Sequence, residues 1–548
     1  MKKSYTEKIL QRKKLMFAFL NNSTEKDASY QNYYLPLKKL FGKTVLFDPL
    51  REMNQTGKKK MEEKFISIVE KEKPDFIFID SRGNEITLDF LEKIKRISKK
   101  TKILSYTGDD DKDFGTLKRY HALFMDCTFT AQPHYLNKYK KDGVKNVLSI
   151  IGVNTEAFKP IKTKKIYDVV FIGKASRERV KTIKFLVEKG VKVIVFGSLW
   201  NNYPEFKDIC KGHINSNEMP NVINQTKISI GLSKNKHGVA AFKWRTFEIA
   251  SCRAFSLVDY FEEYKKYFKI NEEIVMFKDE EDLVEKINYY LKHEKEREKI
   301  AKNAYKRIIK DYDVYSEFKE IFKKIIENPD KFSQRFPKVK GKTAILTGEQ
   351  MSKKNEEIKG IINKFDYISF SDDKSSSLEY KNYLQVLSLE KTGKQMSICD
   401  YYVYDKWLGD YLTTDTFRAY EILEKNKFNQ AITINQMVIK KDFFMNNINK
   451  FKSIFEGKNI DIINEKNACF VSIPLVRLNS IRDVDSKTFS EFYHQKNFLS
   501  EMFILLKRKN LSFVFYLYRL LSVAVKSPPL RSFLINTAKI ALAKKSKF

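Results

Sequence analysis

The stretch Asn221–Tyr260, NVINQTKISIGLSKNKHGVAAFKWRTFEIASCRAFSLVDY, sets the reading of the whole chain. Lys227–Ser233 is a short apolar run that stops at polar residues, as a buried strand does. A helical segment follows, carrying Arg245, Phe247, Glu248 and Ala250. Arg253–Tyr260 is a second apolar run, ending on an acid. Strand–helix–strand alternation of this kind is the signature of a parallel sheet with crossover helices. Arg245 and Glu248 are three residues apart and therefore share one face of the helix. On those two residues alone the choice stays open between a solvated ion pair and a ligand-facing pair.

The same alternation runs outward in both directions. Toward the C-terminus come Glu272–Asp279 and two helices, Glu280–Leu291 and Glu294–Ile309. Toward the N-terminus come Val191–Leu199 and Tyr167–Ser176, the latter with Gly173 in its turn. A linker, Ile151–Pro160, separates this half from an earlier series of runs: Leu15–Leu20, Thr44–Phe47, Asp75–Asp80, Lys102–Tyr106, Cys127–Thr130 and Asn146–Ile150. Thr87–Lys99 and Pro133–Lys141 supply helices between them. The expected fold class is α/β, with two Rossmann-like domains at 1–155 and 156–330. Open sheets of this kind bind ligands at strand carboxyl ends, and two of them make a cleft. A second linker at 331–341 leads to a smaller α/β segment, 342–500, with strand signals at Thr343–Leu346, Asp366–Phe370, Gln395–Tyr404, Ala431–Ile439 and Ala468–Ile473. The remainder, 501–548, reads as basic helices.

Composition narrows the partners. Among 548 residues, Lys+Arg 103 outweigh Asp+Glu 69, a formal charge of +34. Such an excess favours polyanions. Lysine far outnumbers arginine and no basic stripe with interleaved aromatics stands out, which argues against nucleic acid. A lysine-rich background composition explains the charge as well. Five scattered cysteines give no CxxC pair, hence neither a zinc site nor a disulfide framework, and suit a cytoplasmic setting. No run approaches the ~20 apolar residues of a membrane span.

The 221–260 stretch resembles the C-terminal domain of GT-B glycosyltransferases of the CgeB, or glycosyl transferases group 1, type. Pro220 and Asn224 precede the first strand, then come Arg245, Phe247, Glu248, Ala250 and Ala254, and a strand ending in an acid. FIGKASRERVKTIKFL resembles that domain's first strand–loop–helix, and KILSYTGDDDKDF through IGVNTEAFKP resembles the end of the N-terminal domain, so the likeness covers about residues 70–325. It implies a nucleotide-sugar donor and a glycan, lipid-linked or protein acceptor, with a place in cell-surface polysaccharide or glycoconjugate assembly. Gly173, Lys174, Arg177, Arg179, Asn224, Arg245 and Glu248 would hold the donor. The helix start after Gly173 suits a phosphate, Arg177, Arg179 and Arg245 would neutralise the leaving diphosphate, and Glu248 would accept from the ribose hydroxyls. Cations in that role require no metal. Asp109 or Asp110, in GDDD after a strand, would act as general base or bind acceptor hydroxyls, unless they form an acidic helix cap. His121 and His134 are the remaining catalytic candidates, although a histidine in such a place is more often a packed or surface residue. Two departures stand out: Arg253 replaces a glycine expected before the last strand, and Ala240 occupies the place of a second acid.

Lys354–Gln395 resembles part of family 2, GT-A-type glycosyltransferases, with Asp372 and Asp373 at the place of acids that hold Mg or Mn. Few residues precede that turn, so a degenerate module and a plain Ser-Asp-Asp cap both remain open. Ile473–Ser480 and Phe492–Leu499 resemble the end of such a domain. After Glu501 the chain carries no acid but many lysines and arginines between apolar runs, which suits a peripheral helix on an anionic membrane surface or a packed helix with a solvated face. The alternatives to an enzyme are an inactive membrane-associated scaffold and a polyanion binder.

Overall fold

The computed structural model describes residues 4–19, 24–80, 85–110, 114, 118–233, 242–333, 341–372, 375–377, 380–404, 411–413, 434–455, 462–463 and 466–478. Asp111, Ala240, Asp373, the Phe492–Leu499 segment and the basic tail lie outside them. The chain divides into two compact units, one formed by residues 1–51 and 61–337, the other by 52–60 and 338–548.

The first unit contains two parallel sheets. One joins β1 (Lys14–Ala18), β2 (Lys43–Leu46), β3 (Phe76–Ile79), β4 (Lys102–Thr107), β5 (Cys127–Thr130) and β6 (Val147–Ser149) in the order β2-β1-β3-β4-β5-β6. The other joins β7 (Tyr167–Ile172), β8 (Val193–Phe196), β9 (Thr226–Gly231), β10 (Ser256–Asp259) and β11 (Val275–Phe277) in the order β11-β10-β9-β7-β8. The central strands are unbroken apolar runs because helices cover both faces. All four residues of β3, FIFI, are buried. Each strand expected in this unit is present, shifted or trimmed by a few residues at its ends.

The chain crosses between the two sheets twice, and the two crossings lie side by side. Ile151–Asn154 leads out of β6, and Val153 forms a parallel bridge with Asp313 on the way back. The returning helix, Val314–Glu327, starts at an Asp313 cap whose carboxylate accepts from the Ser316 amide at 3.0 Å. Its Val314, Phe318, Ile321, Phe322 and Ile325 repeat at helical spacing and are buried in the core of the first sheet. Phe322 meets Phe41 and Phe76 edge-on at 4.9 and 5.0 Å between ring centroids. The first sheet's core is thus completed by a helix from beyond the second.

The second unit holds β12 (Thr343–Thr347), β13 (Tyr367–Ser371), β14 (Ser375–Ser377), β15 (Met396–Tyr404), β16 (Tyr411–Thr413), β17 (Met437–Lys440) and β18 (Ala468–Leu478). Its sheet runs β12-β13-β17-β15-β18-β14, with β16 on β15. β12 and β13 are parallel, and β17 is antiparallel to both of its neighbours. The Lys381–Thr392 helix covers one face with a polar stripe. The Lys381 ammonium donates to Ser369 Oγ at 2.7 Å and to the Met437 carbonyl at 3.2 Å. Gln385 Nε2 donates to the carbonyls of Ser397 and Gln436 at 2.8 and 2.7 Å.

Candidate functional site

In a parallel sheet, loops that follow strands gather at the carboxyl edge, and helices that precede strands end at the opposite edge. This places the expected donor residues in two groups. Gly173, Lys174, Arg177 and Arg179 follow β7, and Arg245 and Glu248 open the helix Arg245–Ser251 after β9, so all stand at the carboxyl edge. Asn224 does not. It ends the helix Met219–Asn224 just before β9, and its amide is used up locally: Oδ1 accepts from the Ile161 amide at 2.9 Å, while Nδ2 donates to Lys159 and Pro220 carbonyls at 3.0 and 2.8 Å. Asn224, expected as a donor contact, instead pins the interlobe linker as a structural residue. Arg253 belongs to the same far edge. With φ of +53° it ends the 245–251 helix in the left-handed conformation that glycine adopts most easily, and it is exposed. Its side chain therefore lies at the edge away from Arg179 and Arg245.

At the carboxyl edge, Gly173 packs against Gly197. A Cβ on Gly197, whose φ is +145°, would sit 2.1 Å from the Gly173 carbonyl oxygen. That carbonyl accepts from Trp200 Nε1 at 2.8 Å. The Gly173 and Ala175 amides bond the carbonyls of Phe196 and Ser198 at 2.8 and 3.0 Å, so neither is the phosphate contact the sequence suggested. The Arg179 guanidinium is held by the Lys174 and Leu232 carbonyls at 2.9 and 3.2 Å, over the Phe171 ring. Burial pushes its pKa down, Asp259 opposes that and Arg245 adds to it. Its Nε has no partner, and the Oγ of Ser176, which precedes the 177–188 helix, has none either. Asp259, at the end of β10, accepts the Ser233 amide on both oxygens at 2.8 and 2.9 Å. Beside these groups lies a cavity of about 210 Å³, lined by Arg179, Thr182, Leu232, Asp259, Tyr260 and Phe277 among others. Lys174 and Arg177 are exposed.

Arg245 and Glu248 do form a pair, but not a solvated one. Glu248 is only 3% exposed. Its Oε2 accepts from Arg245 Nη1, and its Oε1 accepts from Asn32 Nδ2 of the first sheet's domain at 3.1 Å. Arg245 Nε is buried without a partner. The segment preceding the helix is tied to the other lobe as well. Gln132, just beyond β5, accepts the Phe242 amide at 3.0 Å and donates to its carbonyl at 3.1 Å, a side chain imitating a strand neighbour. Trp244 meets Tyr33 edge-on at 6.4 Å. The carboxyl edge of the first sheet thus meets the Phe242–Glu248 segment of the second lobe directly.

The two acids of the acceptor side separate. Asp109 is exposed at the carboxyl edge of β4. Asp110 is buried, and its carboxylate takes three hydroxyls: Thr107 at 2.8 Å, Tyr139 at 2.7 Å, and Thr130. Burial raises its pKa against those bonds. It braces the loop, with three of its about four acceptor sites engaged. His121 is buried, and desolvation pushes its pKa down to about 3, which leaves it neutral at physiological pH. His134 packs against Tyr135 and Phe261. In the second unit, Asp372 is a half-buried residue just after β13. Among the described residues no three acids, histidines or cysteines converge. Also among the described residues, no helix is long and apolar enough to cross a membrane.

Asn32, Gln132 and Trp244 were not singled out by the sequence. Each acts across the crevice, between residues more than a hundred positions apart, and such contacts leave no local periodicity to read.

Two Rossmann-like domains with facing carboxyl edges and a helix that returns to the first lobe make a GT-B-like α/β architecture. Residues 177–323 match the family model described as glycosyl transferase-like. The spore protein CgeB of Bacillus subtilis is 28% identical over 209 residues, covering 34% of this chain and 63% of the relative's length. Among solved structures, HepE from Anabaena in complex with UDP-glucose is similar with a TM-score of 0.44 and 11% identity over 58% of this chain and all of that one. A sucrose-phosphate synthase from Thermosynechococcus elongatus follows with 0.43 and 11% over the same shares.

Proposed function

We propose that the protein transfers a sugar from a nucleotide-sugar donor to a hydroxyl-bearing glycan, lipid-linked or protein acceptor. The reading rests above all on the Arg245–Glu248 pair, a half-buried guanidinium on a buried carboxylate where the two lobes meet, within the segment that matches the family model. An ionised carboxylate has about four lone-pair sites. Arg245 and Asn32 use two of them, so Glu248 keeps acceptor capacity for a ribose diol. In this reading Arg179 and Arg245 offset the charge that builds on the diphosphate as the glycosidic C–O bond breaks, and Arg177 and Lys174 add to the field. The acceptor oxygen forms the new bond to the anomeric carbon, and its proton passes to Asp109, the acid left exposed on the facing lobe. Asp110 keeps the Asp109 loop in place.

Acceptors in envelope glycan assembly, and a basic tail resting on an anionic membrane, extend the same proposal. Flotation with anionic vesicles, with and without residues 501–548, tests the tail.

The donor reading is tested by a thermal-shift screen against UDP-, GDP-, ADP- and CDP-sugars, since a ligand that binds the folded chain raises its melting temperature by mass action. One donor class is expected to shift the wild type, and Glu248→Ala to lose that shift. No shift with any of the four refutes the donor reading; a full shift in Glu248→Ala refutes the ribose assignment.

A further inference from the structure

Asn32 sits in a five-residue π-helical turn, Tyr30–Tyr34, an arrangement often found at functional positions. It is 7% exposed and both ends of its amide are committed. Oδ1 accepts from the Asn154 amide of the interlobe linker at 3.2 Å, and Nδ2 donates to Glu248 Oε1 at 3.1 Å. One neighbour can only donate and the other only accept, so the orientation of the amide is fixed by its surroundings. Asn154 is in turn wired into both sides of the linker. Its Nδ2 donates to the Gln31 carbonyl at 2.6 Å, and its Oδ1 accepts from the Glu156 amide at 3.1 Å. The next linker bond ties Val153 to the Tyr312 carbonyl of the returning crossing at 2.9 Å.

We propose that Asn154, Asn32 and Glu248 form a relay that couples occupancy of the diol-binding carboxylate to the interlobe linker, with Asn32 as the positioning residue at its centre. The inference rests on the donor reading given above. Three elements that are distant in sequence converge here: the turn after β1, the linker, and the first turn of the Arg245–Ser251 helix. A rigid, single-orientation amide between the linker and the carboxylate means that Glu248 cannot re-aim toward a ligand without moving the linker's hydrogen bonds. A diol that recruits Glu248 therefore draws on a carboxylate already oriented from the opposite lobe, and it tightens the lobes as it binds. A plain packing role for Asn32 requires neither the fixed orientation nor the link to Asn154.

The test uses the full chain with UDP, GDP, ADP and CDP and their 2′-deoxy counterparts, measured by calorimetry. For the nucleotide that binds, the wild type is expected to lose on the order of tenfold in affinity when the 2′-hydroxyl is removed, as for a lost hydrogen bond to a charged group. Asn32→Asp is nearly isosteric and keeps an acceptor for Asn154, but it sets a carboxylate against Glu248. It is expected to bind the ribonucleotide ten- to a hundredfold more weakly and to bind ribo and deoxy forms alike, while pyrophosphate affinity stays within twofold of wild type. Unchanged ribo-over-deoxy discrimination in Asn32→Asp overturns the relay and leaves the donor reading standing. Failure of the wild type to bind any of the four overturns the donor reading and the relay with it. Hydrogen exchange on the wild type needs no variant: the bound nucleotide is expected to slow exchange of the Asn154, Glu156 and Ala157 amides, and unchanged rates there also overturn the relay.

Discussion

Replacing Glu317 by Gln probes the junction of the two lobes and has a sign fixed by the structure. Glu317 lies on the returning helix, and its two oxygens sit 3.1 and 3.1 Å from the Ile151 amide at the start of the linker. Gly152 is packed tightly beside it, because a Cβ there would come within 2.5 Å of Val314 Cα and 2.8 Å of the Glu317 carboxylate. Burial raises the Glu317 pKa from 4.5 to about 7, against the Ile151 and Gly152 amides that favour the charged form, and Asp313 adds to the rise. Ionising it in place therefore costs on the order of 3 kcal/mol. The folded chain holds this proton in a range where the unfolded chain has released it. Stability is accordingly greatest below pH 4.5 as far as this group is concerned, falls between about 4.5 and 7, and is level above, with a slope of up to about 1.4 kcal/mol per pH unit. Glu317→Gln cannot titrate. Urea unfolding followed by Trp200 and Trp244 fluorescence at pH 5, 6, 7 and 8 should show the wild type losing stability relative to the variant up to neutrality, then running parallel. A wild type and variant that run parallel from pH 5 to 8 would refute the reasoning, whatever constant offset separates them.

Three further outcomes follow from the described geometry. Asp110→Ala strands the Thr107, Thr130 and Tyr139 hydroxyls and should cost about 2–4 kcal/mol of stability, whereas Asp109→Asn, at the proposed base, should cut turnover about a hundredfold or more with a smaller loss of melting temperature; equal melting losses would contradict the split. Gly197→Ala meets a rigid backbone oxygen at 2.1 Å and should cost about 3 kcal/mol, readable as a drop in melting temperature. Lys381, whose ammonium burial depresses to a pKa of about 8, gives stability that rises from pH 8 toward 10.5, because there the unfolded chain binds the proton and the folded one does not; Lys381→Met should abolish that rise in urea midpoints.

The fold of the first unit was open to the sequence because its signals are local. Runs such as FIFI at Phe76–Ile79 and VVFI within Tyr167–Ile172 are apolar throughout, and such runs arise where helices cover both sheet faces. That Arg245 and Glu248 pair on one helix face was legible from their three-residue spacing. The place of Asn224 and Arg253 is not legible in a linear motif, which does not say at which edge of a parallel sheet a residue falls. Both precede a strand, and so both sit opposite the crevice. For Asp110 the sequence leaves the choice between a base and a structural acid open: GDDD marks a turn after a strand, but only the fold brings Thr130 and Tyr139 to that carboxylate. The π-helical turn at Tyr30–Tyr34 carried no signal beyond its tyrosines, since its hydrogen-bond pattern is set by what it packs on.

The returning helix has a consequence for how the protein is made. Phe318, Phe322 and Ile325 close the core of the first sheet, yet a ribosome adds them after the whole second sheet has been synthesised. Until then the nascent first lobe exposes the aromatic floor of Phe41 and Phe76 that Phe322 will cover. The first lobe thus cannot mature ahead of the second, and the order of translation makes completion of both a single late event.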